Sequence, residues 1–157
     1  MKKLKLILLA AVLAFGTQLV HAQTGAHDKG KHFLEPGIDL GWGLGLPSFS
    51  WDMGLHKDWS IGLGTAFTWW DGGFGTYIVV RGDYHFGTLL KMPEKMDWYA
   101  GLDLGPAFGF GNGVGFNFRG GINTGYRYFF TEKIGITVAL HGGYAYSHLK
   151  VAATFKI

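Results

Sequence analysis

The stretch Ile-Gly-Leu-Gly-Thr-Ala-Phe-Thr-Trp, residues 61–69, shows the pattern that decides the fold. Its odd-numbered positions carry mostly large side chains, and its even-numbered positions carry Gly, Ala or Thr. Because side chains alternate between the two faces of a β-strand, this spacing predicts a strand with one bulky and one small face. The same alternation recurs from Phe33 to Ile157, where turn signals divide it into eight segments. The chain is therefore predicted to be all-β.

The size and polarity of the side chains on the two faces of these strands indicate which face contacts lipid and which faces the lumen. Eight is an even number of strands, and each segment approaches the roughly 9–11 residues that a tilted membrane-spanning strand needs. The inside of an eight-stranded barrel holds only a filling of side chains, so the bulky faces do not fit there. We therefore predict an eight-stranded antiparallel up-and-down transmembrane β-barrel, with bulky faces toward lipid and small or polar faces toward a narrow lumen.

Several turn signals separate the predicted strands. Lys57-Asp58 is a tight polar turn, and Gly111-Asn112-Gly113 is a strong hairpin signal. Pro47-Ser48 is predicted to turn the chain between the first two strands, and residues 87–96 form the longest connection.

The first 22 residues resemble a secretory signal peptide. A basic head, residues 1–5, precedes an apolar run from Leu6 to Phe15, and Val20-His21-Ala22 offers small residues at the cleavage positions. We predict a signal peptide over residues 1–22, a flexible periplasmic leader over 23–32 and a barrel domain over 33–157. A cleavable signal implies export, here to the bacterial outer membrane.

Charge and cysteine content limit the function classes. The chain has 14 Lys plus Arg against 11 Asp plus Glu, and Lys2, Lys3 and Lys5 leave with the signal peptide. The mature chain then has no formal net charge, so no nucleic-acid partner is predicted. Because there is no cysteine, disulfides cannot stabilise this small exported domain, and closure of a barrel within lipid is one alternative.

Aromatic residues concentrate near the predicted strand ends. One group lies near one set of turns and a second group near the other set, as expected for aromatic belts at two membrane interfaces. The first belt contains Trp59, Tyr84, Trp98, Tyr126 and Tyr128, and the second contains Trp42, Trp51 and Trp69.

Six charged residues are predicted to face the lumen near the middle of their strands: Asp39, Asp52, Arg81, Asp103, Arg119 and Lys150. Barrel closure brings Lys150 on the last strand beside Asp39 on the first. Buried charges are tolerated when they are paired, so three acids and three bases at one height predict a compensated ion network. A structural plug is the favoured interpretation, and a proton or ion path is the alternative.

Other polar residues give weaker signals. His141 and His148 are predicted to point inward and Ser147 outward, which places Ser147 poorly for catalysis with either histidine. His27, Asp28 and His32 could bind a metal weakly, but a solvated tail is the favoured interpretation. We predict no catalytic residue, no cofactor and no metal site.

From Phe33 to Ile157 the pattern resembles the small outer-membrane β-barrel proteins of the OmpX and OmpA-transmembrane-domain type. The final strand, Leu149-x-Val151-x-Ala153-x-Phe155-x-Ile157, is similar to the C-terminal signal of such barrels, although it ends in Ile instead of an aromatic residue. The connections are also shorter than this family usually has. The resemblance implies outer-membrane lipid and the outer-membrane assembly machinery as partners, and it indicates no oligomeric state.

The resemblance leaves three function classes open. A structural or interaction protein of the outer membrane with a charge-plugged lumen is favoured. A porin-like passage protein for a small or apolar solute is the alternative, and a lipid-modifying enzyme is a weaker one.

Cleavage is expected between Ala22 and Gln23, because the basic head, apolar run and small residues match what signal peptidase recognises. N-terminal sequencing of protein from the membrane fraction checks this, and a chain that begins at Met1 would contradict it.

Overall fold

A computed structural model describes residues 26–41, 44–112, 115–144 and 146–157. The predicted signal peptide and Trp42 lie outside the described residues. Eight strands form one closed antiparallel barrel in sequence order: β1 His32–Gly41, β2 Leu44–His56, β3 Trp59–Trp70, β4 Gly73–His85, β5 Met96–Gly111, β6 Gly115–Phe129, β7 Ile134–Tyr144 and β8 Tyr146–Lys156. The predicted all-β, eight-stranded fold is confirmed. The part of the chain that the structure describes contains no α-helix of membrane-spanning length and hydrophobicity.

The barrel closes where β8 pairs with β1, with Leu34 opposite Phe155 and Leu40 opposite Leu149. We call the end where β1 begins and β8 finishes the terminal end. It also carries the connections 57–58, 86–95 and 130–133, and the opposite end is the distal end. The predicted turns at Lys57-Asp58 and after Gly111 are confirmed by these strand boundaries.

The predicted turn at Pro47-Ser48 is wrong. Pro47 lies inside β2, opposite Ile38 of β1, and β2 begins at Leu44. Proline is accommodated there because pairing of β2 with β3 extends only from Ser48 onward, so Pro47 has a single strand neighbour and its missing N–H leaves no carbonyl of β3 unpaired.

The two faces of the barrel have the predicted polarity. Exposed side chains on the outer face include Ile38, Leu63, Leu102, Ile122 and Leu140, whereas Asp52, Arg81, Arg127 and Thr154 are buried inside. Glycine makes room for this polar interior, since a Cβ on Gly62 would lie 2.1 Å from an Asp52 carboxylate oxygen. Successive side chains of a strand point to opposite faces, so every second residue faces the lumen. The residues between them, which carry the large apolar side chains, therefore face outward.

Part of the leader is docked against the terminal end, which corrects the prediction of a flexible tail for the described residues 26–32. Ala26 and His27 are buried, and Ala26 packs with Phe33 and Phe129 in an apolar cluster. The Gly30 N–H donates to the Gly54 carbonyl at 2.9 Å, and a Cβ on Gly54 would lie 2.1 Å from the Asp28 carbonyl oxygen. A glycine in β2 therefore permits this close backbone approach.

Candidate functional site: charged side chains across the lumen

A layer of buried charged side chains centres on Arg127 of β6, whose side chain is fully buried. Its guanidinium donates to Glu35 of β1 at 2.6 Å, to Asp97 of β5 at 3.1 Å and to Asp52 of β2. In a closed ring of eight strands, β2 and β6 stand opposite each other. The Arg127–Asp52 ion pair therefore crosses the whole diameter of the lumen.

A second guanidinium extends this layer. Arg81 of β4 donates to Asp83 at 3.1 Å and lies 3.8 Å from Asp52. The buried Tyr99 ring lies beneath both arginines, with its centroid 4.4 Å from the Arg127 guanidinium carbon and 5.5 Å from that of Arg81. A ring face below two cations adds cation–π attraction where water is excluded.

Lys150 of β8 completes the layer. Its ammonium lies 3.3 Å from Glu35 and also donates to Ser50 of β2. Ser50 and Thr137 each donate to a Glu35 oxygen, at 2.9 and 2.8 Å. Glu35 thus accepts from two charged and two neutral donors, which is how a buried carboxylate is stabilised.

A second polar layer lies toward the distal end. Asp39 accepts from the Tyr77 hydroxyl at 2.8 Å and lies 3.2 Å from His148 Nε2, while Asp103 lies 3.1 Å from His141 Nδ1. The two imidazole rings stack with centroids 4.5 Å apart. As predicted, both histidines point into the lumen, and Ser147 is exposed on the outer face.

Two cavities adjoin this distal layer. One, of about 20 Å³, is lined by residues that include Asp39, Asp103 and His148, and it has room for one water molecule. The other, of about 300 Å³, lies at the distal end and is lined by residues that include Trp70 and Asn117. Arg119 and Tyr77 also line the larger cavity. The Arg119 guanidinium stacks on the Tyr77 ring, with the guanidinium carbon 4.6 Å from the ring centroid.

The structure places the six predicted network residues at two levels instead of one. Asp39 is opposite Lys150 and Arg81 opposite Asp103 in the backbone register, as strand order implied. The charged groups of these four residues reach other partners, however, and Arg81 lies 3.8 Å from Asp52. Long side chains extend along the lumen, so the register of Cα atoms does not decide which charges meet.

Sequence reasoning missed the residues that form most of the ion pairs in this layer: Glu35, Asp83, Asp97 and Arg127. Parity was the available signal, since Asp83 and Arg127 share the inner-face parity of Arg81 and Arg119.

The predicted belt residues that the structure describes lie outside the lumen. At the terminal end Trp59 packs edge-on against Tyr84 with ring centroids 5.1 Å apart, and the ring centroids of Trp98 and Phe86 are 4.8 Å apart. Tyr126 and Tyr128 lie at the same end of β6, and Trp69 lies at the distal end of β3. Trp51 is opposite Leu34, near the start of β1, so it lies toward the terminal end and not in the distal belt. The misplaced turn at Pro47 accounts for this difference.

A histidine pair at the terminal end could hold a metal ion. His27 of the docked leader stacks on His85 with centroids 3.5 Å apart, and His85 Nδ1 lies 2.8 Å from an Asp97 oxygen. One donor atom from each of these three side chains lies within 4.8 Å of the others. Burial and the neighbouring His85 lower the pKa of His27 to about 4, so its ring is neutral at pH 7.

Comparison with solved structures identifies the architecture. The chain is similar to the N-terminal β-barrel domain of Pseudomonas aeruginosa OprF, with a TM-score of 0.55 and 16% identity over 82% of this chain and 98% of that one. It is also similar to the outer-membrane protein OprG from Pseudomonas aeruginosa, with a TM-score of 0.52 and 11% identity over 85% of this chain and 98% of that one. No family model and no curated protein matches the sequence. The fold is that of the small outer-membrane β-barrels, as the sequence predicted.

Proposed function

We propose that this chain is an integral protein of the bacterial outer membrane whose barrel is closed by a charged plug, and that its role is structural or interactive. The outer face supports membrane insertion. Large exposed side chains such as Leu102, Ile122 and Val138 cover it, and soluble monomers rarely expose apolar patches of more than a few hundred Å². In lipid, the same surface needs no further partner.

The observation that carries the closed lumen is the Arg127–Asp52 pair across the barrel diameter. Glu35, Asp97 and Tyr99 fill the same level, and all are buried. The apolar cluster of Ala26, Phe33 and Phe129 covers the terminal end. A solute that entered the distal cavity would therefore meet a layer of paired charges before it reached the other side.

The enzyme alternative has less support. His141 and His148 are each held by a carboxylate, and the Ser147 side chain is on the opposite face of β8. A serine nucleophile needs a base within hydrogen-bonding reach, which this arrangement does not supply.

We also propose that β8, which closes the barrel against β1, is the strand that the outer-membrane assembly machinery binds.

Planar-bilayer recording tests the closed lumen. Wild-type protein inserted into the bilayer should give no steady conductance above that of the protein-free membrane, because paired charges fill the lumen around Arg127. The Arg127→Ser variant, in which the crossing side chain is shortened, serves as the comparison and should show intermittent openings. Stable unitary currents through the wild-type barrel would contradict the plug and favour the passage protein, with the 300 Å³ distal cavity as its entrance.

A further inference from the structure

The terminal end of the barrel brings together three metal-ligating side chains from three segments. His27 belongs to the docked leader, His85 ends β4, and Asp97 is the second residue of β5. They are 2%, 1% and 0% exposed. His85 and Asp97 meet because β4 pairs with β5, whereas His27 reaches them because the leader docks against the terminal end.

The two nitrogens of His27 have unlike surroundings. Nε2 lies 3.1 Å from the His56 carbonyl oxygen and 3.3 Å from that of Trp59. Both of these atoms are acceptors, so Nε2 carries the proton of the neutral ring. Nδ1 then has a bare lone pair, and it is buried without a hydrogen-bond partner in the structure. Such a lone pair requires an ion or a water molecule to satisfy it.

His85 and Asp97 extend the same donor set. His85 Nε2 lies 2.9 Å from the Ser60 hydroxyl, and Nδ1 faces the Asp97 oxygen Oδ1 at 2.8 Å. The other Asp97 oxygen accepts from Arg127 at 3.1 Å. One carboxylate oxygen is therefore committed to the plug, and the other is turned toward the two histidines.

The local charge favours a cation. Around the Arg127 layer, the four carboxylates of Glu35, Asp52, Asp83 and Asp97 face three basic side chains, those of Arg81, Arg127 and Lys150. The carboxylates outnumber these three basic side chains by one. A bound cation near Asp97 would balance the additional carboxylate.

We propose that His27, His85 and Asp97 bind one divalent transition-metal ion, which fastens the leader to the barrel wall. Two imidazole nitrogens with one carboxylate oxygen form a donor set typical of Zn²⁺. In this site His27 binds through Nδ1 while its Nε2–H donates to the His56 carbonyl, and His85 binds through Nδ1 while its Nε2–H donates to Ser60. Such outer hydrogen bonds orient metal-ligating imidazoles. Because the rings are stacked within 4° of parallel, at least one of them turns about its Cβ–Cγ bond when both bind the same ion.

Calorimetric titration with Zn²⁺ tests the site on untagged protein extracted from membranes in detergent and stripped with a chelator. Wild-type protein should bind one Zn²⁺ per barrel, and His27→Gln should weaken that binding at least tenfold. His56→Gln is the matched control, because that imidazole lies at the same end but is exposed, and the substitution keeps the backbone carbonyl to which His27 hydrogen-bonds. Zn²⁺ binding that is absent from the wild type, or equally tight in His27→Gln, would overturn the proposal.

A second measurement needs no variant. Lys29 and Lys31 of the leader are exposed and offer trypsin sites. Zn²⁺ should slow cleavage at these lysines at least tenfold relative to chelator-treated protein, because the fastened leader unfolds locally less often. An unchanged cleavage rate at saturating Zn²⁺ would overturn the fastening. Neither measurement depends on whether the lumen conducts.

Discussion

Replacing Arg127 with leucine is expected to lower the free energy of unfolding by about 3–5 kcal/mol where the site is dry. In the wild type, the Arg127 guanidinium forms an ion pair with one oxygen of each of three carboxylates on three other strands, those of Glu35, Asp52 and Asp97. Leucine removes the cation and leaves these oxygens buried. The cost arises mainly from the charges left without a partner, because a salt bridge in a protein interior gains little over a well-packed apolar pair. Urea unfolding of the protein in lipid vesicles measures the change.

Arg119→Leu is the control on the same strand. Arg119 shares the inward parity of Arg127, but it lies half-buried beside the distal cavity and stacks on Tyr77. Its loss should destabilise the barrel clearly less than the loss of Arg127. If both variants unfold at the same urea concentration, the layer around Arg127 is hydrated and does not form the plug that we propose.

The barrel could be predicted from sequence because a strand has only two faces. Period two assigns every residue to the lumen or to the outside, and this assignment holds for residues such as Asp52, Arg81 and Leu102. Strand number and neighbour order then follow from the turn signals. A single misplaced turn, at Pro47, shifts the depth of Trp51 without changing its face, which is why the fold was correct and one belt position was not.

The pairing inside the lumen could not be predicted in the same way. Arginine and lysine side chains extend several residues along the barrel axis, and Lys150 reaches Glu35 although its backbone partner is Asp39. Which charges meet depends on the tilt of the strands and on gaps left by glycine, as at Gly62. The docking of His27 was missed for a similar reason, since the polar composition of the leader gives no sign of the pocket between Trp59 and His85 that receives it.

Replacing Leu102 with arginine should lower the free energy of unfolding by about 2–4 kcal/mol, as expected for a charge near the bilayer midplane. Leu102 lies near the middle of β5, with its side chain 64% exposed on the outer face between Gly82 and Ile122. In water an arginine there would be solvated at almost no cost. In lipid the arginine side chain must extend to the membrane interface, or water must enter the hydrocarbon region around it. Either change costs free energy in the folded state and so lowers the free energy of unfolding. Urea unfolding in vesicles of defined thickness gives the value.

Leu89→Arg provides a control with the same chemistry at the same exposure. Leu89 is 65% exposed, but it lies in the connection between β4 and β5 at the terminal end, outside the strands. Near an interface, arginine costs about 0–1 kcal/mol. A soluble barrel would tolerate both substitutions equally, because neither side chain packs inside. A large loss at position 102 together with a small one at 89 therefore reports the apolar medium around the strands, whereas equal small losses would show that water surrounds Leu102 and would overturn the membrane-spanning assignment.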